Sequence, residues 1–222
     1  MKTNEKKTLI TGIILILAFA IWTMLIQLID VQAVGLNNTN VGFATLNTWF
    51  HSLTGANMSL YTITDWLGLV PVFVGMSFGF LGLVQLIKRK NLLKVDFDII
   101  ILGVYYVIVV LCYLIFEMIP INYRPIFING FMEASYPSST TLLVLGVMPT
   151  LIFQAKRRIK SKKIKKIICV ITILFSAFMV VGRLVSGVHW ITDIVGSVLL
   201  SMGLFHVYKG VMLWNLMKNF KV

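Results

Sequence analysis

Arg183-Leu184-Val185-Ser186-Gly187-Val188-His189-Trp190-Ile191-Thr192-Asp193 is the stretch that decides how this chain is read. An arginine, a histidine and an aspartate stand here between two long apolar runs. Ionisable groups at the edge of a membrane span are costly, so each is a functional candidate by default. His189 and Asp193 are four residues apart, which on a helix gives them one face and a hydrogen bond. A carboxylate behind an imidazole fixes its tautomer and raises its basicity, the arrangement of an activated nucleophile or general base. Arg183 supplies a planar fork suited to phosphate oxygens.

The composition around this stretch is that of an integral membrane protein: 58% hydrophobic, 13% charged, with a mean hydropathy of +0.90. A formal charge of +12 is compatible with nucleic acid. The basic residues, however, lie in short clusters between apolar runs, as in cytoplasmic membrane loops, so no nucleic-acid partner is expected. Cys112 and Cys169 fall inside apolar runs and read as buried structural thiols.

Working outward, the hydropathy predicts six spans: 8–29, 66–87, 99–119, 138–155, 167–185 and 190–214. The first is too long for a signal-peptide core and has no convincing cleavage site, so it reads as a retained anchor. Residues 30–59 carry no lysine or arginine. Phe43, Leu46, Phe50 and Leu53 follow helical spacing there, with Trp49 beside them. They form either a short amphipathic helix on the outer membrane surface or an ordinary loop. Two glycosylation sequons, at Asn37 and Asn57, are the kind that occur by chance. Residues 120–137 read as a polar loop. Eighteen of the twenty lysines and arginines fall at the termini or after the second and fourth spans. The positive-inside rule then expects both termini in the cytoplasm and the remaining two, Arg124 and Arg183, outside. The expected fold is all-α and polytopic: one six-span domain over residues 1–222, with a helical-bundle core from about residue 60 to 214. Residues 1–59 supply an anchor helix and an outer interfacial loop.

This topology gathers Arg124, Ser138, Arg183, His189 and Asp193 at the outer face. Ser138 and Ser139 stand at a helix N-terminus, where free N–H groups and the dipole favour an anion. Together these groups make a phosphate site with a nucleophile.

At these residues the sequence resembles the type 2 phosphatidic acid phosphatase family, which shares its active-site pattern with the vanadium haloperoxidases. The family carries K-x6-R-P, then P-S-G-H, then S-R-x5-H-x3-D. The third motif is present at Arg183, His189 and Asp193, with Gly182 in place of serine. The first keeps Arg124-Pro125, with Glu117 where lysine is expected. The second reads Pro137-Ser138-Ser139-Thr140, with Thr140 where histidine is expected.

The resemblance implies an integral membrane lipid phosphate or diphosphate phosphatase working through a phosphohistidine at the extracytoplasmic face of the cell membrane. His189 would be the nucleophile and Asp193 its orienting carboxylate, with Arg124, Ser138, Ser139 and Arg183 holding the phosphate. The alternative is a catalytically impaired relative that binds, transports or regulates a lipid phosphate without turnover; a phosphotransferase is a third option. The missing second histidine leaves the leaving-group acid open among His51, Glu117 and Glu133. Glu117 is expected to pair with Arg124, and Glu133 to be a solvated loop carboxylate. His206 falls toward the cytoplasmic end of the last span, as a structural or interfacial residue. No cofactor is expected, and no metal, because one histidine and one carboxylate are too few ligands for a dedicated site. The expected partners are the lipid substrate and membrane lipids.

Overall fold

Each apolar run becomes a helix, and the loops between them carry the chemistry. The structure, a computed structural model, describes residues 4–219, and side chains through residue 216. Lys2 and Lys221, counted above among the basic ends, lie outside the described residues. The helices are α1 (Asn4–Leu28), α2 (Ala44–Thr54), α3 (Met58–Leu67), α4 (Leu69–Arg89), α5 (Phe97–Met118), α6 (Ser139–Arg158), α7 (Lys162–Val185) and α8 (Ile191–Asn219). There is no regular strand among the described residues. Six segments are long and apolar enough to cross a membrane, with α3 and α4 counting as one, Met58–Arg89. The protein is therefore an all-α, multi-pass membrane protein.

The second span departs most from expectation. It begins at Met58 rather than residue 66, because Thr62, Thr64 and Asp65 depress the local hydropathy without ending the helix. The hydroxyls of Thr62 and Thr64 donate to carbonyls of their own helix, which removes their cost. The Asn57 side chain caps α3 by accepting from the Leu60 N–H. The fifth span is also longer than expected, running back through Lys162, Lys163, Lys165 and Lys166. Long lysine side chains reach the interface while their backbone stays helical.

Of the two readings of residues 30–59, the helix is the observed one. The inward residues of α2 are polar: Asn47 is fully buried and His51 half-buried. Its apolar residues Leu46, Trp49 and Leu53 are exposed, as an interfacial helix requires.

The most extensive packing is between the first helix and the last. It depends on three glycines. A Cβ at Gly12 would lie 2.7 Å from the Val207 nitrogen, one at Gly203 2.8 Å from Ile16, and one at Gly210 3.1 Å from Leu9. Small residues let transmembrane helices approach closely enough for dispersion to hold them. At the end carrying the basic loops, Asp96 and Asp98 gather arginines from α4 and α6. Arg89 pairs with Asp96 at 2.8 Å, and Arg158 with Asp98 at 2.6 Å.

The α1–α8 seam yields the first test. Gly203→Leu should separate these helices and lower the midpoint of thermal unfolding in detergent, at a cost of about 1–3 kcal/mol from overpacking. Gly79→Leu, at a glycine whose Cβ position is open, is the matched control. Equal midpoints for the two variants would contradict the seam.

Candidate active site

The loop of residues 119–138 does more than connect two spans. Asn129 and Gly130 both adopt positive φ, 51° and 83°. They close a two-residue turn in which Ile128 and Phe131 exchange backbone hydrogen bonds of 3.0 and 2.9 Å. Asn-Gly is the sequence signal for such a hairpin turn. The paired chain continues: the Arg124 N–H donates to the Glu133 carbonyl (3.1 Å) and the Ser135 N–H to the Asn122 carbonyl (2.9 Å). Glu133 thereby comes opposite Arg124, and Ser135 reaches the start of α8.

Asp193 sits at the third position of α8 and is fully buried. One carboxylate oxygen accepts the Trp190 N–H at 2.9 Å, closing the first turn as a capping-box residue does. The same oxygen accepts a short hydrogen bond from the Ser135 hydroxyl. His189 is not on the helix, contrary to the spacing argument; it lies in the turn before α8. The pair still meets, with Nδ1 3.8 Å from the carboxylate, because the turn folds back over Asp193.

The nearer partner of the imidazole is Ser135. Its carbonyl and hydroxyl oxygens both lie 3.1 Å from Nδ1. The carbonyl can only accept, and the hydroxyl proton is committed to Asp193, so Nδ1 carries the proton. That leaves a lone pair on Nε2, which receives the Arg183 Nη2–H at 3.2 Å. Burial, then the charges of Arg124 and Arg183, push the His189 pKa well below its ordinary value.

Around this histidine stand two buried guanidiniums. Both lie over the ring of Tyr61, Arg183 at 4.9 Å and Arg124 at 5.8 Å from its centroid. Arg183 is wholly buried and reaches half-exposed Asp65 at 3.6 Å; Arg124 reaches Glu133 at 3.1 Å. Nevertheless, Nε and Nη1 of both arginines are buried without a hydrogen-bond partner; Arg124 Nε meets Glu133, and Arg183 Nη1 meets Asp65, as ion pairs alone. Unsatisfied charged donors are costly, and an anion's oxygens are what such donors match.

The turn itself is braced from outside. The Gly187 φ is +65°, and any Cβ there would collide with the Gly55 carbonyl. The His51 Nε2–H donates to the Gly187 carbonyl at 3.1 Å, and the Asn57 N–H to the Ser186 carbonyl at 2.9 Å. The buried amide of Asn47 meets the Thr192 hydroxyl at 3.1 Å, fastening α2 to the start of α8.

With the geometry in place, the comparisons are direct. Residues 72–217 match the PAP2 superfamily pattern. This chain belongs to the PAP2 superfamily. The fold is similar to that of a transmembrane PAP2-type phosphatidylglycerolphosphate phosphatase from Bacillus subtilis. The match has a TM-score of 0.63 and 18% identity, and covers 90% of this chain and 95% of that one. No curated protein sequence matches the chain.

In this PAP2 superfamily member, Arg124, Arg183, His189 and Asp193 come together as expected. Ser138 and Ser139 do open α6, and the Ser138 N–H approaches the Asp193 carbonyl at 3.4 Å. Two expected pairings are corrected. Arg124 is taken by Glu133, so Glu133 is not a free loop carboxylate. Exposed Glu117 instead borders a small cleft with Ser135 and Ser139. Thr140 is buried, its methyl facing Gly68 at the α3–α4 break. His206 bonds only its own helix, at the Met202 carbonyl. Among the described residues no three His, Cys, Asp or Glu groups are clustered as metal ligands. Sequence reasoning missed Tyr61, Asp65 and Ser135, because no motif spacing links them to the histidine. Only the Asn129-Gly130 turn signal could have led to Ser135.

With three histidines in the chain, proton NMR can follow His189 individually. Its midpoint should lie below about 6.5, the ordinary imidazole value. The flanking cations disfavour the imidazolium, so Arg124→Gln should move that midpoint upward. A wild-type midpoint at or above 6.5 would contradict the site's electrostatics.

Proposed function

We propose that the protein is a phosphatase of membrane lipid phosphates or diphosphates, acting through a phosphohistidine at the extracytoplasmic face. Membership of the PAP2 superfamily supports phosphatase chemistry in general. The observation that carries the finer reading is the set of guanidinium N–H groups left without a hydrogen-bond partner around a neutral histidine whose Nε2 is unprotonated.

In this reading the lipid's phosphoryl oxygens take the donors of Arg124 and Arg183, the Arg183 Nη2–H passes from Nε2 to a phosphoryl oxygen, and the released Nε2 lone pair faces phosphorus. The N–P bond forms as the P–O bond to the lipid breaks. Positive charge developing on the ring is met at Nδ1–H by Ser135 and Asp193. The guanidiniums neutralise the equatorial oxygens, the largest contribution in phosphoryl transfer. Water then attacks phosphorus, releases phosphate and restores Nε2. His51 acts here as a brace on the Gly187 turn rather than as an acid, since its Nε2–H is already committed.

Thr140 bears on the substrate. A threonine hydroxyl cannot protonate a leaving group near neutral pH, and a lipid alkoxide needs that proton. A lipid monophosphate leaving from a diphosphate needs it less, since its second ionisation falls near pKa ≈ 6. General acid catalysis is worth typically 10²–10⁴-fold, so turnover should favour diphosphates such as a polyprenyl diphosphate over phosphatidic acid. Thr140 equally favours a second reading, a binder of lipid phosphate without turnover. Phosphate release by purified wild-type protein decides between them.

His189→Ala should abolish release from every lipid tested while leaving the protein folded, and Asp193→Asn should lower it by orders of magnitude. Thr140→His should raise monoester hydrolysis more than diphosphate hydrolysis. Full activity of the His189 variant would end the phosphohistidine reading. Wild-type cleavage of phosphatidic acid as fast as a diphosphate would end the argument from Thr140.

The orientation rests on the basic clusters, and both termini are assigned to the cytoplasm. With Cys112 and Cys169 replaced by alanine, Thr45→Cys and Phe131→Cys should react with an impermeant thiol reagent in intact cells. Lys163→Cys should not. The reverse pattern would place the site on the cytoplasmic side.

A further inference from the structure

At the end of the bundle away from His189, α6 and α8 part to leave an open cleft. Its rim carries Lys156 and Arg157 from the last turn of α6 and Lys209 from α8; its floor is Phe153, Ile152 and Phe205. No acidic residue lines it. Neither Lys156 nor Lys209 forms an ion pair with a described residue. Arg157 lies 3.8 Å from Asp98, but that carboxylate is already held by Arg158 at 2.6 Å. Instead the Arg157 guanidinium rests 5.8 Å above the Phe153 ring, a cation–π contact that keeps it over the cleft wall.

Depth identifies the occupant. Lys156 lies about 26 Å along α6 from Ser139, and Lys209 about 27 Å along α8 from Ile191, at 1.5 Å per residue. Both helices start at the site end, so the three cations share one level. With a hydrocarbon core about 30 Å thick, that level is the headgroup boundary of the opposite leaflet. The aromatic and aliphatic floor runs from there toward the bilayer centre. A soluble anion would use the cations and leave the floor bare. A neutral lipid would cover the floor and leave Lys156 and Lys209 unpaired.

We propose that this cleft is a binding site for one anionic phospholipid, its phosphate on Lys156, Arg157 and Lys209 and an acyl chain along Phe153, Ile152 and Phe205. The site is separate from the proposed active site and does not depend on that site's chemistry. Basic pockets between transmembrane helices are a recurrent setting for anionic headgroups.

Native mass spectrometry of the full chain in detergent, with equal phosphatidylglycerol and phosphatidylcholine of the same acyl chains, tests it. Wild-type protein should retain phosphatidylglycerol in preference. Lys156→Gln combined with Lys209→Gln should weaken that retention about thirtyfold, from about fivefold per basic residue near the surface. Lys156→Arg with Lys209→Arg should keep it, and so should Lys162→Gln with Lys163→Gln, which removes equal charge from the neighbouring basic run. Free glycerol phosphate at the lipid's concentration should not displace the lipid. Equal retention of the two lipids would overturn the site. So would equal loss in both glutamine pairs, which marks diffuse attraction, or displacement by glycerol phosphate, which marks a soluble-anion site. A glutamine pair that fails to fold shows as a lost thermal transition, and the arginine and Lys162/Lys163 pairs then carry the comparison: phosphatidylglycerol preference must persist in both.

Discussion

The site end of this protein hangs on one buried carboxylate. Asp193 accepts from the backbone at the start of α8 and from the Ser135 hydroxyl of the 119–138 loop. A charge so placed is costly unless its lone pairs are satisfied, and the N-terminal dipole of α8 adds to what the donors supply. Removing it would release the turn that carries His189 and the loop that carries Ser135 together. Fold and site share this residue, so the orientation of the imidazole is a consequence of how α8 begins.

A second tension sits beside it. Arg124 and Arg183 are both buried, and like charges in a poorly screened setting repel. They are held by three groups from different parts of the chain: Asp65 and the Tyr61 ring from α3, and Glu133 from the hairpin. None of these saturates the guanidiniums. The result is a cationic pocket organised before any ligand arrives, so little reorganisation remains when an anion enters. It also lowers the basicity of the histidine it surrounds, keeping the ring neutral.

The fold was legible wherever hydropathy alone decides. Six apolar runs gave six spans, with ends displaced where lysines or hydroxyl residues continue a helix that apolarity no longer marks. The core of the site was legible through Arg183, His189 and Asp193, which share one short stretch, and Arg124, which keeps its proline. What stayed hidden was what tertiary contact alone creates. Tyr61 and Asp65 lie in α3, more than a hundred residues before His189, and Ser135 acts through both its backbone carbonyl and its hydroxyl. The expected Glu117–Arg124 pair failed because the Asn129-Gly130 turn brings Glu133 nearer. The helical spacing of His189 and Asp193 named the right partners for the wrong geometric reason: the histidine precedes the helix, and the turn replaces the shared face.

The seam between α1 and α8 has a consequence for how the protein is made. α1 is the first span to leave the ribosome and α8 the last, yet they are each other's principal partner. Until α8 is inserted, Gly12 faces lipid or a temporary neighbour, and α1 lacks its principal partner. The turn that carries His189 is likewise fastened by α2, an early segment, to the start of this late helix. Assembly of the site is thus tied to insertion of α8: a nascent protein arrested before this helix carries both arginines and His189 but lacks Asp193, and α2 has no Thr192 to fasten to.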